Sequence, residues 1–196
     1  MGRLTVVNHV TLDGVMQAPA GPDEDRRGGF AHGGWGAANT DEVMMREMTK
    51  GLGSGPGSLL LGRRTYEQMA AYWPHAPADN PYTKSINAQR KYVASRTLRA
   101  PLEWNAHLLE GDIVTAVAAL KRDVDDALTV LGSGELVQSL MPHDLIDAYV
   151  LQIHPLVLGT GRRLFPDDGA FASLRLVDSV PTTTGVIIAR YEPKAT

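Results

Sequence analysis

With 196 residues, 43% hydrophobic and 21% charged, the chain is long enough to bury one core without disulfides or metal, and wholesale disorder is excluded. The absence of cysteine removes disulfide frameworks, thiol nucleophiles and cysteine-based zinc sites, and a net charge of -3 offers no basic stripe for nucleic acid. The first apolar stretch, Leu4 to Val10, is broken by Asn8 and His9 and is too short for a signal peptide or a membrane span, so a cytoplasmic protein with no membrane partner is expected.

A first strand is expected over Leu4–Thr11. Met16 to Asn39 follows, rich in glycine and carrying the cluster Asp23-Glu24-Asp25-Arg26-Arg27. A loop that long in a compact domain reads as a substrate lid or pocket wall, with an inert insertion as the alternative. From Thr40 to Leu52, Val43, Met44, Met48 and Leu52 share a helical face, opened by Asn39 or Thr40 as cap. Gly53 to Gly57 is a turn into a strand at Ser58–Leu61, followed by a short helix at Thr65–Ala71. Strands at Lys91–Ser95 and Ala106–Leu109 lead to a helix at Asp112–Arg122, a strand at Leu128–Leu131 and a helix at Gly134–Met141 ended by Pro142. Three strands close the chain, Asp147–Leu158, Leu174–Asp178 and Gly185–Tyr191, with no helix between them. Alternation followed by an all-strand tail predicts a single α/β domain over 1–196, built on a mixed, mainly parallel sheet.

Three strand ends carry anion-friendly chemistry. Gly62-Arg63-Arg64-Thr65 runs from a buried strand into a helix, where free amide groups and two guanidiniums suit a phosphate. Gly132-Ser133-Gly134-Glu135-Leu136 makes a second glycine turn, short of the full dinucleotide fingerprint because Val137 takes the last glycine's place. Ser95-Arg96-Thr97 offers hydroxyls around one arginine, a fit for a terminal phosphate monoester. Each has a bland reading as a tight turn or exposed strand end. Together they suggest ligand binding beyond the carboxyl ends of a sheet.

These segments, with Thr11-Leu12-Asp13-Gly14 and His154-Pro155-Leu156-Val157-Leu158-Gly159-Thr160-Gly161, resemble the C-terminal reductase domain of the riboflavin-biosynthesis deaminase-reductase, in its stand-alone branch. The resemblance spans nearly the whole chain in order. It implies the dihydrofolate-reductase-like three-layer fold, an eight-stranded sheet flanked by helices, with NADPH across the strand ends. By position, Gly62, Arg63, Arg64 and Thr65 would meet the pyrophosphate and adenosine side. Ser95, Arg96 and Thr97 would meet the 2′-phosphate. Gly132, Ser133, Gly134, Glu135 and Leu136 would meet the pyrophosphate and nicotinamide side, and the backbone at Asn8 and His9 the nicotinamide amide. The deaminase half's zinc pattern needs cysteines that are absent here, so deamination is not expected.

The resemblance implies an NADPH-dependent reductase of a small heterocyclic, carbonyl or imine substrate, with the ribosylaminopyrimidine intermediate of riboflavin synthesis as one candidate. Arg26 and Arg27, or Arg162 and Arg163, are candidates for that substrate's phosphate. A nucleotide-binding sensor or structural dimer that keeps the fold without turnover is the alternative. For the proton, Asp41 or Glu42 stands at the start of a helix that faces the substrate in dihydrofolate reductase, and Asp13 follows the first strand; capping and turn-bracing are their structural alternatives. Trp35 is a candidate substrate-pocket wall or a packing anchor. The six histidines show no metal-ligand spacing, and His154 reads as a core residue. A homodimer is expected from the resemblance and from the apolar run Ala148–Leu158, which a partner would help to cover.

Overall fold

Leu4, Val6 and Val10 point to one side of the first strand, and alternation of this kind decides which helices cover which face of the sheet. The computed structural model describes residues 2–51 and 57–194. In chain order these form β1 (Leu4–Thr11), α1 (Glu42–Gly51), β2 (Gly57–Gly62), α2 (Arg63–Tyr72), α3 (Pro81–Ala88), β3 (Arg90–Ala94), β4 (Ala106–Leu109) and α4 (Ile113–Asp123). Then come β5 (Ala127–Leu131), α5 (Gly134–Leu140), β6 (Ala148–His154), β7 (Leu174–Pro181) and β8 (Ile187–Pro193). All eight strands join one sheet in the order β4-β3-β2-β5-β1-β6-β8-β7. Strands β1 to β6 pair in parallel; β8 runs antiparallel to β6 and to β7. This is the mixed, mainly parallel eight-stranded sheet expected.

One face of the sheet presents Leu4, Val6, Leu60, Leu128, Val130, Tyr149 and Leu151 to α4 and α5. The opposite face presents Leu59, Leu61 and Val93 to α2 and α3, and Val150 and Ile188 to Met44 of α1. Helices on both faces make three layers, and they explain why β2 and β5 are apolar at consecutive positions.

Several elements differ from expectation. Helix α3 is unanticipated, although Asn80 accepts from the Tyr82 amide at 2.9 Å as cap, Pro81 occupies the first turn, and Tyr82 and Ile86 share its buried side. Helix α2 starts at Arg63, two residues before the Thr65 expected, and Gly62 caps it without a side chain. Neither Asn39 nor Thr40 caps α1. Asp41 does, its Oδ1 accepting from the Met44 amide at 2.8 Å, while its Oδ2 takes the Thr183 amide and hydroxyl at 2.7 and 2.6 Å. Leu52 and the turn expected through Pro56 lie outside the described residues.

The strand expected to run to Leu158 stops at His154, because Pro155 has no amide to continue the ladder. That strand is internal, between β1 and β8, so its apolar character follows from its place in the sheet and asks for no partner chain. Among the described residues no helix is long and apolar enough to cross a membrane.

Replacing the Asp41 cap tests this assignment. Asp41→Ala is expected to lower the thermal midpoint by a few degrees, Asp41→Asn by less, and both are expected to leave kcat unchanged. A large fall in kcat with an unchanged melting curve would return this carboxylate to the chemistry.

Candidate functional site

Parallel neighbours end on the same side of a sheet, and here the ends of β2, β3, β4 and β5, with Asn8 of β1, open onto one crevice of about 790 Å³. Its walls include Gly62–Thr65, Ala94–Thr97, Gly111–Ile113 and Gly132–Leu136. Two of these turns are fastened to each other by Ser133. Its hydroxyl accepts from the Gly62 amide at 2.9 Å and has its own proton between Thr65 Oγ1 (2.9 Å) and the Leu131 carbonyl (3.0 Å). Ser133 holds a left-handed backbone (φ 57°, ψ 47°), costly for a residue with a Cβ, next to Gly132 at φ 55°. Asn8 donates to the Gly132 carbonyl at 3.2 Å and fixes the turn from the β1 side. A Cβ on Gly134 would collide with Met16 Sδ, so the glycine lets the loop after β1 close on the turn.

That loop forms the opposite wall. Met16–Pro19 and Glu24–Arg27 line the crevice, and the loop is braced from inside by Gln17, which is only 3% exposed. Gln17 Nε2 donates to the carbonyls of Asp25 (3.0 Å) and Arg27 (2.9 Å), its Oε1 accepts from the Arg162 amide (3.0 Å), and its carbonyl accepts from Trp35 Nε1 (2.7 Å). Gln68 of α2 donates to the Glu24 carbonyl and links loop to helix.

Charge is concentrated here. The protein carries a net -3, yet the crevice is lined by seven arginines against five carboxylates. Most of these arginines are engaged. Arg63 pairs with Glu67 and Thr97, Arg27 pairs with Asp25 and Glu135, and Arg162 shares Glu135 Oε1. Arg64 and Arg96 make no ion pair or hydrogen bond among the described residues, and no side chain caps the first-turn amides of α2 beside them. Unpaired donors grouped in this way suit phosphate oxygens.

A separate polar cluster lies on the α1 side of β1 and β6. His9 Nδ1 and His154 Nε2 are 3.0 Å apart; Trp35 meets the His154 ring edge-on at 5.0 Å, and Asn39 Nδ2 lies 3.5 Å from His154 Nδ1. Burial, with the His154 charge adding to it, lowers the His9 pKa to about 4; burial alone lowers that of the fully buried His154 to about 4. Both rings are neutral at neutral pH.

Comparison with known proteins settles the kinship. The RibD C-terminal domain family matches residues 3–188. This chain belongs to that family. Two uncharacterized proteins of Bacillus subtilis (strain 168) are similar: YyaP, 27% identical over 133 residues (66% of this chain, 70% of YyaP), and YwjB, 26% over 119 residues (61% and 64%). Among solved structures, the pyrimidine reductase-like protein of Corynebacterium diphtheriae superposes with a TM-score of 0.68 at 12% identity, covering 100% of this chain and 93% of that one. Dihydrofolate reductase of Enterococcus faecalis, complexed with NADP(H), gives 0.63 at 15%, covering 99% and 98%. RibD of Acinetobacter baumannii gives 0.64 at 14%, and this chain, covered at 99%, spans only 58% of its length. Identities this low carry the fold alone, which is that of dihydrofolate reductase.

Within the RibD C-terminal domain family, then, the positions singled out from sequence divide clearly. Asn8, Gly62, Arg63, Arg64, Thr65, Ser95, Arg96, Thr97, Gly132, Ser133, Gly134, Glu135 and Leu136 all line the crevice. His9 does not; it is on the other side of β1 from Asn8 and faces His154. Trp35 is outside the crevice too, packed with Val15, Ala18 and Phe30 as an anchor for the glycine-rich loop. Neither acid lines the crevice. Asp41 is the α1 cap, and Asp13 accepts from the Thr11 hydroxyl (2.5 Å) and from the Leu158 and Gly159 amides (3.2 and 2.8 Å). The Thr11 hydrogen bond, with these amides, lowers the Asp13 pKa to about 2, so it holds no proton at neutral pH. Gln17 and Gln68 have no signal in the sequence, since a lone glutamine carries no periodicity of its own.

Two measurements test this geometry. Ser133→Ala removes the only side-chain acceptor of the Gly62 amide and keeps the left-handed strain, so it is expected to destabilise by about 1–3 kcal/mol in urea unfolding. Ser133→Gly relieves the strain and is expected to lose less. For the histidines, the folded pKa lies below the unfolded one, so the unfolded chain takes up protons first as pH falls. Stability is therefore expected to be full above pH 6.5 and to decline toward pH 4, by roughly 2–3 kcal/mol for each ring. His154→Gln is expected to shrink the difference in unfolding free energy between pH 7 and pH 4.5; an unchanged difference would contradict the burial argument.

Proposed function

We propose that this protein is an NADPH-dependent reductase that passes hydride to a small heterocyclic, carbonyl or imine substrate. The observation that carries this reading is the convergence, in one crevice, of the uncapped first turn of α2 with Arg64 and Arg96, two crevice arginines with no partner among the described residues. The bound cofactor supplies the hydride. The amides of Arg63, Arg64 and Thr65, and the turn at Gly132–Gly134, would hold its diphosphate. Arg96, between the Ser95 and Thr97 hydroxyls, would hold the 2′-phosphate that separates NADPH from NADH. Asn8 and Met16 meet the Gly132–Gly134 turn at the β1 end of the crevice, where the nicotinamide end would lie.

Family membership supports a reductase of the riboflavin-biosynthesis type. One feature favours a phosphorylated substrate such as the ribosylaminopyrimidine intermediate: Arg27 and Arg162 converge on the single oxygen Glu135 Oε1 at 3.1 and 3.2 Å, a pair of donors that a phosphate oxygen could take over. The non-catalytic alternative, a nucleotide-binding sensor, predicts cofactor binding without substrate-dependent oxidation.

The decisive experiment combines binding and turnover. Arg96→Ala is expected to weaken NADPH binding by about tenfold or more and NADH binding little, as for loss of a charge-assisted contact. The wild type is expected to oxidise NADPH in the presence of the phosphorylated aminopyrimidine and more slowly with its dephosphorylated form. Equal losses for both cofactors would remove the Arg96 role, and a protein that binds NADPH but turns over no substrate would be the sensor.

A further inference from the structure

A side-chain amide offers two donors and an acceptor in one plane, so a buried glutamine that uses all of them ties several stretches of backbone at once. Gln17 does this inside the wall of the crevice. The two segments its amide joins are those that carry the guanidiniums meeting at Glu135. On one side Nε2 holds the carbonyls of Asp25 and Arg27. On the other, Oε1 holds the amide of Arg162, whose carbonyl takes the Met16 amide at 2.8 Å. The backbone of Arg162 is therefore bonded through both its amide and its carbonyl to residues 16 and 17.

The Arg27 guanidinium is aimed by the same turn. Asp25 accepts from Arg27 Nε (2.8 Å to Oδ1) and Nη2 (2.6 Å to Oδ2), and its Oδ1 also takes the Arg27 amide at 3.1 Å. Nη1 is left outside this chelate and meets Glu135 Oε1, as does Arg162 Nη1. Glu135 is the most exposed side chain of the group, at 73% against 30% for Arg27 and 17% for Asp25. The carboxylate that receives the two donors is thus the member freest to swing away, while Asp25 and the Gln17 turn hold Arg27 without it. Donors fixed before a ligand arrives lose little freedom on binding it.

We propose that Gln17 is the positioning residue of a preformed clamp for a phosphate monoester, the Arg27–Arg162 pair, and that its amide sets the preference of the crevice for a phosphorylated substrate over the neutral counterpart. The proposal rests on the reductase reading for the identity of that anion as substrate. A glutamate of the same size would lose both Nε2 donors and turn an oxygen toward the Asp25 and Arg27 carbonyls. The turn would open, and the two guanidiniums would separate. The cofactor's phosphates would have donors of their own at the first turn of α2, Arg64 and Arg96, and would not depend on this amide.

The test compares ribose 5-phosphate with ribose, titrated by calorimetry into the NADPH-loaded protein so that the α2 end is already filled. The wild type is expected to bind the phosphate about tenfold or more tightly than the sugar, as for charge-assisted hydrogen bonds. Gln17→Glu is expected to lose about tenfold of that affinity and to keep its NADPH affinity within about twofold. Trp35→Phe loosens the same loop by removing the donor to the Gln17 carbonyl, and leaves the side-chain amide untouched. It is expected to lower the melting temperature and keep the preference. Should Gln17→Glu not fold, spectra of the 15N-labelled wild type decide the matter. Ribose 5-phosphate is expected to shift the side-chain nitrogen signals of Arg27 and Arg162, and to leave the Gln17 amide protons as slow to exchange as before. Equal binding of the two sugars, the same loss in Trp35→Phe, or a matching loss of NADPH affinity in Gln17→Glu would overturn the proposal. So would unmoved arginine signals or a Gln17 amide that exchanges freely. A protein that takes up no NADPH removes the reductase reading, and the same arginine signals, followed without cofactor, then show whether the clamp exists apart from it.

Discussion

The hydroxyl of Ser133 is the constraint on which the crevice depends. The ends of β2 and β5 are neighbours in the sheet, but the turns that leave them head into helices on opposite faces. Nothing in strand pairing alone would hold those turns at a fixed separation. A single hydrogen-bonded side chain does so, reaching from the β5 turn to the Gly62 amide and to Thr65. It does this from a left-handed backbone that most residues avoid, which is the kind of local strain that surrounding structure sustains at a functional site.

The glycine-rich loop gains its shape in the same way. Trp35 buries an apolar body and gives its one donor to Gln17; Gln17 ties the loop's charged tip to the segment at Arg162. The polar residues of the loop are thus its internal frame, and the loop serves as a wall of the crevice. Glu135 is the meeting point of Arg27 and Arg162, so the wall and the β5 turn also attract each other. At their exposure such pairs contribute little stability individually, but they fix where the guanidiniums point.

Asp13 and Asp41 are held by the fold through many donors. Both carboxylates proposed for proton delivery are saturated with donors, and those donors stabilise the ionised form. Gln152, beside the His9–His154 pair, is fully buried with its Oε1 unpaired, and from sequence it looks like an ordinary strand residue. A helix-start aspartate is a capping group by default, and here the default prevailed because Thr183, far along the chain, supplied a second pair of donors.

Local chemistry made the sheet, four of the five α-helices and the turns that line one wall of the crevice readable from the chain, because apolar runs, glycine turns and arginines at strand ends are decided by neighbours a few positions away. Helix α3 escaped because its apolar residues are few, although Asn80 and Pro81 announced its start. Side-chain direction was decided only in three dimensions. His9 and Asn8 are adjacent in sequence, yet strand alternation sends one to a histidine cluster and the other to the crevice. The partners that hold Asp13 and Asp41, and the meeting of Arg27 with Glu135, lie more than a hundred residues away along the chain, and no local pattern in a sequence records such pairings.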